Sequence, residues 1–335
     1  MSSPRIGVVG VGSLGFHHAR LLSQLEGARF AGVYDIDASR QAAVAQQLGI
    51  PAHPHLAALL ERADAVVIAV PTTAHEEVAI AAIERGVHVL IEKPIAPTLE
   101  AADRILAAAE RAGVLVQIGH VERFNAALRA CEPYLEEPLF VESHRLAPFG
   151  PRGTDVAVIL DLMIHDLDLV LSLIRHPVRT LSAVGVPVLT PSVDIANARL
   201  EFEGGGVANL TASRISLEPM RKIRFFQHSG YISLDLAAGR GEYLRLRPGV
   251  ASQLALVLDP TRSATPVGAP AVRLEDLVER VSLHGDGGEP LQRELASFIA
   301  ALRGELAVTV SGMDGRRALA AALEIVDRIN AHVTA

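Results

Sequence analysis

Three short stretches of the chain carry side chains suited to taking hydrogen from an alcohol. The first, IGVVGVGSLG at 6–15, sets Gly10, Gly12 and Gly15 in GxGxxG spacing between an apolar run and a helical pattern. In that context the first glycine allows a tight turn, the second lets a pyrophosphate approach the backbone, and the third lets helix and strand pack closely. The helix amides that follow, at Ser13 and Leu14, then face the phosphates. Asp35 comes twenty residues after Gly15 at the end of the next apolar run, where a carboxylate accepts hydrogen bonds from a ribose. It would repel a 2′-phosphate, so NAD is favoured over NADP; Arg40 is the nearest basic residue that speaks for NADP.

The second stretch, VHVLIEKPIA at 87–96, is apolar until it stops at Glu92 and Lys93 and is closed off by Pro94. A solvated strand end would explain the pair, and so would a lysine held at an active-site mouth. Desolvation lowers a lysine's pKa, while a nearby glutamate acts in the opposite direction. The third, LDLMIHDLDLVLSLI at 160–174, reads as a helix with one apolar stripe and with Asp161, His165 and Asp168 on another face. A histidine one turn from a carboxylate is held in a defined tautomer and suits proton transfer to or from a hydroxyl. The bland alternative is a capping aspartate and a solvated histidine.

These residues need elements to position them. Apolar runs at 5–9, 29–34, 65–70, 87–91 and 115–119 alternate with helical segments at 14–25, 38–48, 74–85 and 98–112, the rhythm of a doubly wound parallel sheet. Ligands of such sheets lie beyond the carboxyl ends of the strands. That places Val70, Pro71, Thr72 and His75, then Glu92 and Lys93, then Gly119 and His120 along one dinucleotide. From residue 121 the rhythm changes. A helix is expected at 123–134, a strand at 139–146 and a helix at 159–174, followed by strand-like stretches at 197–202, 206–213, 223–228, 231–236 and 243–247 that argue for a largely antiparallel sheet. Helices close the chain at 290–303 and 314–331, while 248–290, rich in proline and glycine, yields no element.

A chain of 335 residues fits two domains rather than one. A net charge of −7 without any concentrated basic face argues against nucleic acid and for a small-molecule partner. No apolar run is long enough to span a membrane, and the start lacks the features of a signal peptide. The single Cys131 permits no internal disulfide, and no Cys/His spacing suggests a structural metal. A cytoplasmic protein is the expectation.

Taken together, the glycine fingerprint, Thr73-x-His75, the EKP triplet at 92–94, Asp161-xxx-His165 and the two closing helices resemble the glucose-fructose oxidoreductase, inositol dehydrogenase and MocA (Gfo/Idh/MocA) family. The resemblance implies an NAD-binding Rossmann domain over 1–120. It also implies a substrate-binding and oligomerising α/β domain with a large open sheet over 121–310, and a helix at 311–335 that returns to the first domain. It assigns Lys93, His165 and Asp161 to catalysis. Either Lys93 or His165 could take the hydroxyl proton, and His165 is favoured, with Lys93 orienting the hydroxyl and stabilising the developing alkoxide. A narrower likeness, carried by GHVERFNAA at 119–127 and by 152–173, is to the branch of that family that oxidises the 3-hydroxyl of a UDP-sugar, UDP-N-acetylglucosamine, on the route to lipid A. A diphosphate needs cations, and Arg123, Arg145, Arg152, Arg214, Arg221 and Arg224 all fall in the second domain. Arg123, Asn125, Arg145 and Arg152 are the expected substrate contacts, with Arg123 and Arg145 favoured. An inositol or other polyol dehydrogenase and a catalytically silent NAD-binding regulator are the competing expectations, and a homodimer or homotetramer is the expected assembly.

Overall fold

The structure is a computed structural model that describes residues 3–150, 156–250 and 273–333. Five strands, β1 (Arg5–Val9), β2 (Arg29–Tyr34), β3 (Ala65–Ile68), β4 (His88–Glu92) and β5 (Val116–Gly119), form an all-parallel sheet in the order β2-β1-β3-β4-β5. Except in the edge strand β2 their residues are almost all buried because helices cover both faces, as parallel sheets require. Outside β2 a single parallel bridge joins Val33 to Ala52, the remnant of a further strand.

The crossover helices start and stop where the sequence signals it. Helix α1 (Ser13–Leu22) begins at Gly12, and α2 (Ala38–Leu48) is capped by Asp37 and ends at Gly49 in the left-handed region. A one-and-a-half-turn helix, α3 (Leu56–Leu60), precedes β3, and α4 (His75–Ile83) follows it. The longest crossover, α5 (Leu99–Ala112), is capped by Thr98. The strand order reverses between β1 and β3, so the ends of these two strands open the crevice where a ligand binds.

The second sheet has eight strands. In chain order they are β6 (Phe140–Leu146), β7 (Val178–Val186), β8 (Ile195–Phe202), β9 (Val207–Ser213), β10 (Met220–Gln227), β11 (Gly230–Asp235), β12 (Arg240–Leu246) and β13 (Val278–His284). They lie in the order β13-β12-β11-β10-β6-β9-β8-β7, antiparallel except for β6 beside β9. One face packs on α6 (Ala126–Cys131), α7 (Ile164–Leu173) and α9 (Gly312–Val333), and the other carries the exposed alternate residues. Two strands escape sequence reading. In β7 only Leu181 is buried, so no apolar alternation marks it, and β13 lies in the stretch from 248 to 290 that yields no element. The helix expected at 123–134 is broken by Asn125, which has extended backbone torsions and caps α6 with its side chain.

The two closing helices tie the sheets together. Leu295, Phe298 and Ile299 of α8 (Pro290–Leu302), expected with the 121–310 domain, lie instead in the core of the first sheet against Ile6, Val8 and Leu22. Helix α9 places Leu319 in the core above β4 and β5, and Ala318, Ala322, Ile325 and Ile329 in the core of the second sheet. Among the described residues no helix is long and apolar enough to cross a membrane. Phe298 is fully buried. Phe298→Ala should therefore cost about 3–5 kcal/mol, read as an earlier urea midpoint that dinucleotide partly restores.

Candidate active site

At the carboxyl end of the first sheet lies a cavity of about 660 Å³, lined at one end by Gly10, Asp35, Ile36 and Arg40 and at the other by Glu92 and Lys93. The glycines that border it differ in what confines them. Gly10 has φ +84°, and a Cβ there would meet the Ala69 carbonyl at 2.8 Å. A Cβ on Gly15 would lie 1.9 Å from the Gly10 carbonyl oxygen, so Gly15 is required by the packing of α1 on β1. Around Gly12 a Cβ would meet nothing within 4 Å. That open space, beside a helix start without any side-chain cap, is a cradle for an anion.

Asp35 closes the far end. Its two carboxylate oxygens accept from the Val11 amide at 2.7 Å and the Asp37 amide at 2.8 Å, which fixes the side chain while leaving lone pairs toward the cavity. Arg40, half exposed, stands 3.8 Å from Asp35 and 3.3 Å from Asp37, so two carboxylates already face its charge.

Val70, Pro71 and Thr72 line the middle of the cavity, as their place after β3 implies. His75 also borders it, yet both ring nitrogens lie 3.0 Å from backbone carbonyls, those of Val70 and Pro94. Burial lowers the pKa of this ring although the two carbonyls oppose the shift. His75 therefore pins two loops to each other. Gly119 does not line the cavity; a Cβ there would crowd the Glu92 carboxylate at 2.9 Å, so its lack of a side chain makes room for that group.

Lys93 directly follows β4 and reaches across to the second half of the chain. Its Nζ donates to the Asp161 carbonyl at 2.7 Å and lies 3.8 Å from the Asp161 carboxylate. Asp161 sits in a π turn (Ile159–Met163) that precedes α7. The wide turn removes the regular four-residue stacking, so the expected Asp161–His165 hydrogen bond is not made: Nδ1 of His165 is buried without a partner among the described residues. Asp168 is not on His165 either, because both its oxygens hold Arg123, at 2.6 and 2.9 Å. The neighbour of the His165 ring is His120, edge-on at 6.4 Å between centroids. Burial, followed by the charge of Lys93 and then of Arg145, holds the His165 pKa well below the ordinary histidine value, which leaves a neutral ring at pH 7. His120 is likewise buried and lowered, chiefly by desolvation.

The residues expected to contact substrate already have partners within the chain or lie outside the described residues. Arg145 is buried and donates to Asp166 at 2.9 Å through two nitrogens and to Glu122 at 2.8 Å, so it cross-links β6, α7 and the turn after β5. Asn125 gives its amide to Glu122 and to the Leu236 carbonyl, and its oxygen caps α6. Arg123 is spent on Asp168, and Arg152 lies outside the described residues. Arg214 is buried and donates to the Val156 carbonyl, and Arg224 pairs with Glu142 on the open face of the sheet. Arg221 is different: it lies opposite Arg145 in the β6–β10 ladder, on the inward side, and is still 57% exposed with only a 3.8 Å approach to Glu122. Sequence reading also missed His18 and Glu294, which meet Glu92; a histidine within the fingerprint helix and a glutamate in an amphipathic one carry no motif.

The arrangement is that of a dinucleotide cleft whose one end meets a lysine, a carboxylate and a neutral histidine, the equipment of an oxidoreductase. Residues 4–120 match the model of the oxidoreductase family with NAD-binding Rossmann fold, and residues 117–233 match the C-terminal domain of the same group, so the chain belongs to the Gfo/Idh/MocA family. Among its relatives is UDP-N-acetylglucosamine 3-dehydrogenase from Acidithiobacillus ferrooxidans, 38% identical over 328 residues that cover 96% of each chain. A solved structure of that enzyme superposes with a TM-score of 0.86 over 99% of both chains, at 35% identity. Inositol 2-dehydrogenase 2 from Saccharopolyspora erythraea is 37% identical over 189 residues, covering 53% of this chain and 56% of the relative.

The two glycines predict opposite failures. Gly15→Ala should fail to fold stably, seen as a lowered melting temperature. Gly12→Ala should melt like the parent but bind NAD at least ~10-fold more weakly by calorimetry, because only its own side chain enters the cradle.

Proposed function

We propose that the protein is an NAD-dependent dehydrogenase that oxidises the 3-hydroxyl of UDP-N-acetylglucosamine to the 3-keto sugar. The observation that carries the reading is Lys93 held against Asp161 beside the neutral, buried-edge imidazole of His165, at the end of a dinucleotide cleft. The pinned Asp35 carboxylate favours a ribose 2′-hydroxyl, so NAD is preferred to NADP. When bound, the nicotinamide supplies a hydride acceptor. Lys93 orients the substrate hydroxyl and stabilises the developing alkoxide, and His165 takes its proton as the hydride leaves the same carbon. Asp161 holds Lys93 in place rather than acting on His165.

The nucleotide sugar is supported by the 96% coverage of the UDP-N-acetylglucosamine 3-dehydrogenase and by Arg221, an inward-facing cation at the mouth of the site with the charge to meet a diphosphate. Such a product feeds a transamination in amino-sugar and lipid A precursor synthesis, in the cytoplasm. The open face of the eight-stranded sheet suits a homodimer or homotetramer. The inositol dehydrogenases keep a polyol reading alive, over about half of the chain.

NADH absorbance with purified protein, NAD and candidate sugars tests the assignment. UDP-N-acetylglucosamine should be turned over and inositol left untouched, and Arg221→Ala should raise KM about 10-fold or more with kcat little changed. Turnover of inositol with UDP-sugars inert would replace the substrate.

The titration of His165 makes a separate prediction. A base whose pKa is lowered works over a wider acid range, so the acid limb of kcat/KM should fall below pH 6.5, the ordinary histidine value. His165→Asn should remove that limb and lower kcat by roughly 10²–10⁴.

A further inference from the structure

At Glu92, which lines the cavity, three ionisable groups meet in the protein interior. His18 comes from α1, Glu92 from the end of β4 and Glu294 from α8, and one ligand atom of each lies within 4.8 Å of the others. All three are buried, His18 and Glu294 completely. Nε2 of His18 and Oε1 of Glu92 are 2.6 Å apart, a separation with a proton between them. The other Glu92 oxygen accepts from the Lys93 amide at 3.2 Å. Glu294 has no such help: neither carboxyl oxygen has a partner among the described residues, and nor do His18 Nδ1 and the Gln117 Oε1 nearby.

A buried carboxyl without partners keeps its proton. Burial, and after it the charges of Glu92 and Asp168, push the Glu294 carboxyl well above the usual carboxylate range. Glu294 is thus held neutral in part by a negative group, Glu92, that itself lines the cofactor cavity. The charge that changes in the reaction is on the same side: an oxidised nicotinamide ring is positive and a reduced one is neutral. A positive ring against Glu92 offsets the repulsion that keeps Glu294 protonated.

We propose that Glu294, with His18 and Glu92, forms a proton-binding site linked to the charge of the cofactor. It gives up a proton when an oxidised dinucleotide seats in the cleft and recovers it when that dinucleotide is reduced. The balance is simple: the fraction of a proton that passes to solvent on binding returns after hydride transfer, so the cluster ends each cycle unchanged. The other charged groups that face the cluster are His75 from α4, Lys93 at the end of β4, His120 and Arg123 after β5, and Asp168 from α7. Their titration is common to the parent and to a variant that changes Glu294 alone.

The inference rests on the cofactor part of the proposed function, not on the substrate. Calorimetric titration of NAD+ and of NADH into the full chain, each in two buffers of different ionisation heat near pH 7 and pH 8, counts the protons exchanged. The parent should release a fraction of a proton with NAD+ and little or none with NADH, and its NAD+ affinity should tighten with pH by up to ~10-fold per unit. Glu294→Gln, of the same shape and unable to ionise, should abolish the NAD+-linked release and flatten that pH dependence. Glu294→Met serves the same purpose if the amide is not tolerated in the interior. Proton-neutral binding of both cofactors by the parent, or equal release by parent and variant, would overturn the proposal. A parent that binds neither dinucleotide would overturn the cofactor reading itself.

Discussion

One amine crosses between two cores. Lys93 leaves the end of a buried parallel strand and donates to the carbonyl of Asp161, whose π turn belongs to the helix packed on the other sheet. An ammonium in a half-buried place needs acceptors, and the carbonyl and carboxylate of one residue provide them without neutralising the group fully. The rest follows from that contact. The two sheets must approach closely enough for a lysine to span them, and α9 brings them there by lodging apolar residues in both cores. His165, one turn farther along, stays neutral through burial and, after it, the lysine's charge.

Ion pairs elsewhere in the second domain serve the same end. Arg145 with Asp166 and Glu122, and Arg123 with Asp168, are held by buried carboxylates of the chain itself. They anchor α7 to β6 and to the turn that leaves the first sheet. Removing one partner from such a pair strands a charge in the interior, so a loss of activity after mutation there would reflect a displaced helix rather than a lost substrate contact.

The fold was legible wherever burial wrote a pattern. All five parallel strands and their long crossover helices follow from apolar runs, caps and glycine stops. Strand β7 was hidden because only one of its residues is buried, and β13 because it lies in a stretch crowded with proline and glycine. The lining of the cavity was readable for a related reason: glycine spacing, Asp35 and the EKP triplet are local and carry their geometry with them. The partners of the arginines were not. Arg145 and Arg221 are the same residue type and pair across one ladder, yet Glu122 and Asp166 close on Arg145 while Arg221 stays exposed, 3.8 Å from Glu122. Spacing along the chain holds no record of that. The same holds for Asp161 and His165, where a single wide turn undid an inference from regular helix geometry.

The placement of α8 has a consequence for how the molecule is made. Strands β1 to β5 leave the ribosome first, but Leu295, Phe298 and Ile299, which complete the core over Ile6 and Val8, follow some 170 residues after β5. During synthesis, therefore, the sheet that holds the dinucleotide waits with an apolar face uncovered while the whole second sheet is being translated. N-terminal domains ordinarily fold as they emerge; here the core of the earliest sheet is completed only once α8, beyond the whole second sheet, has been made.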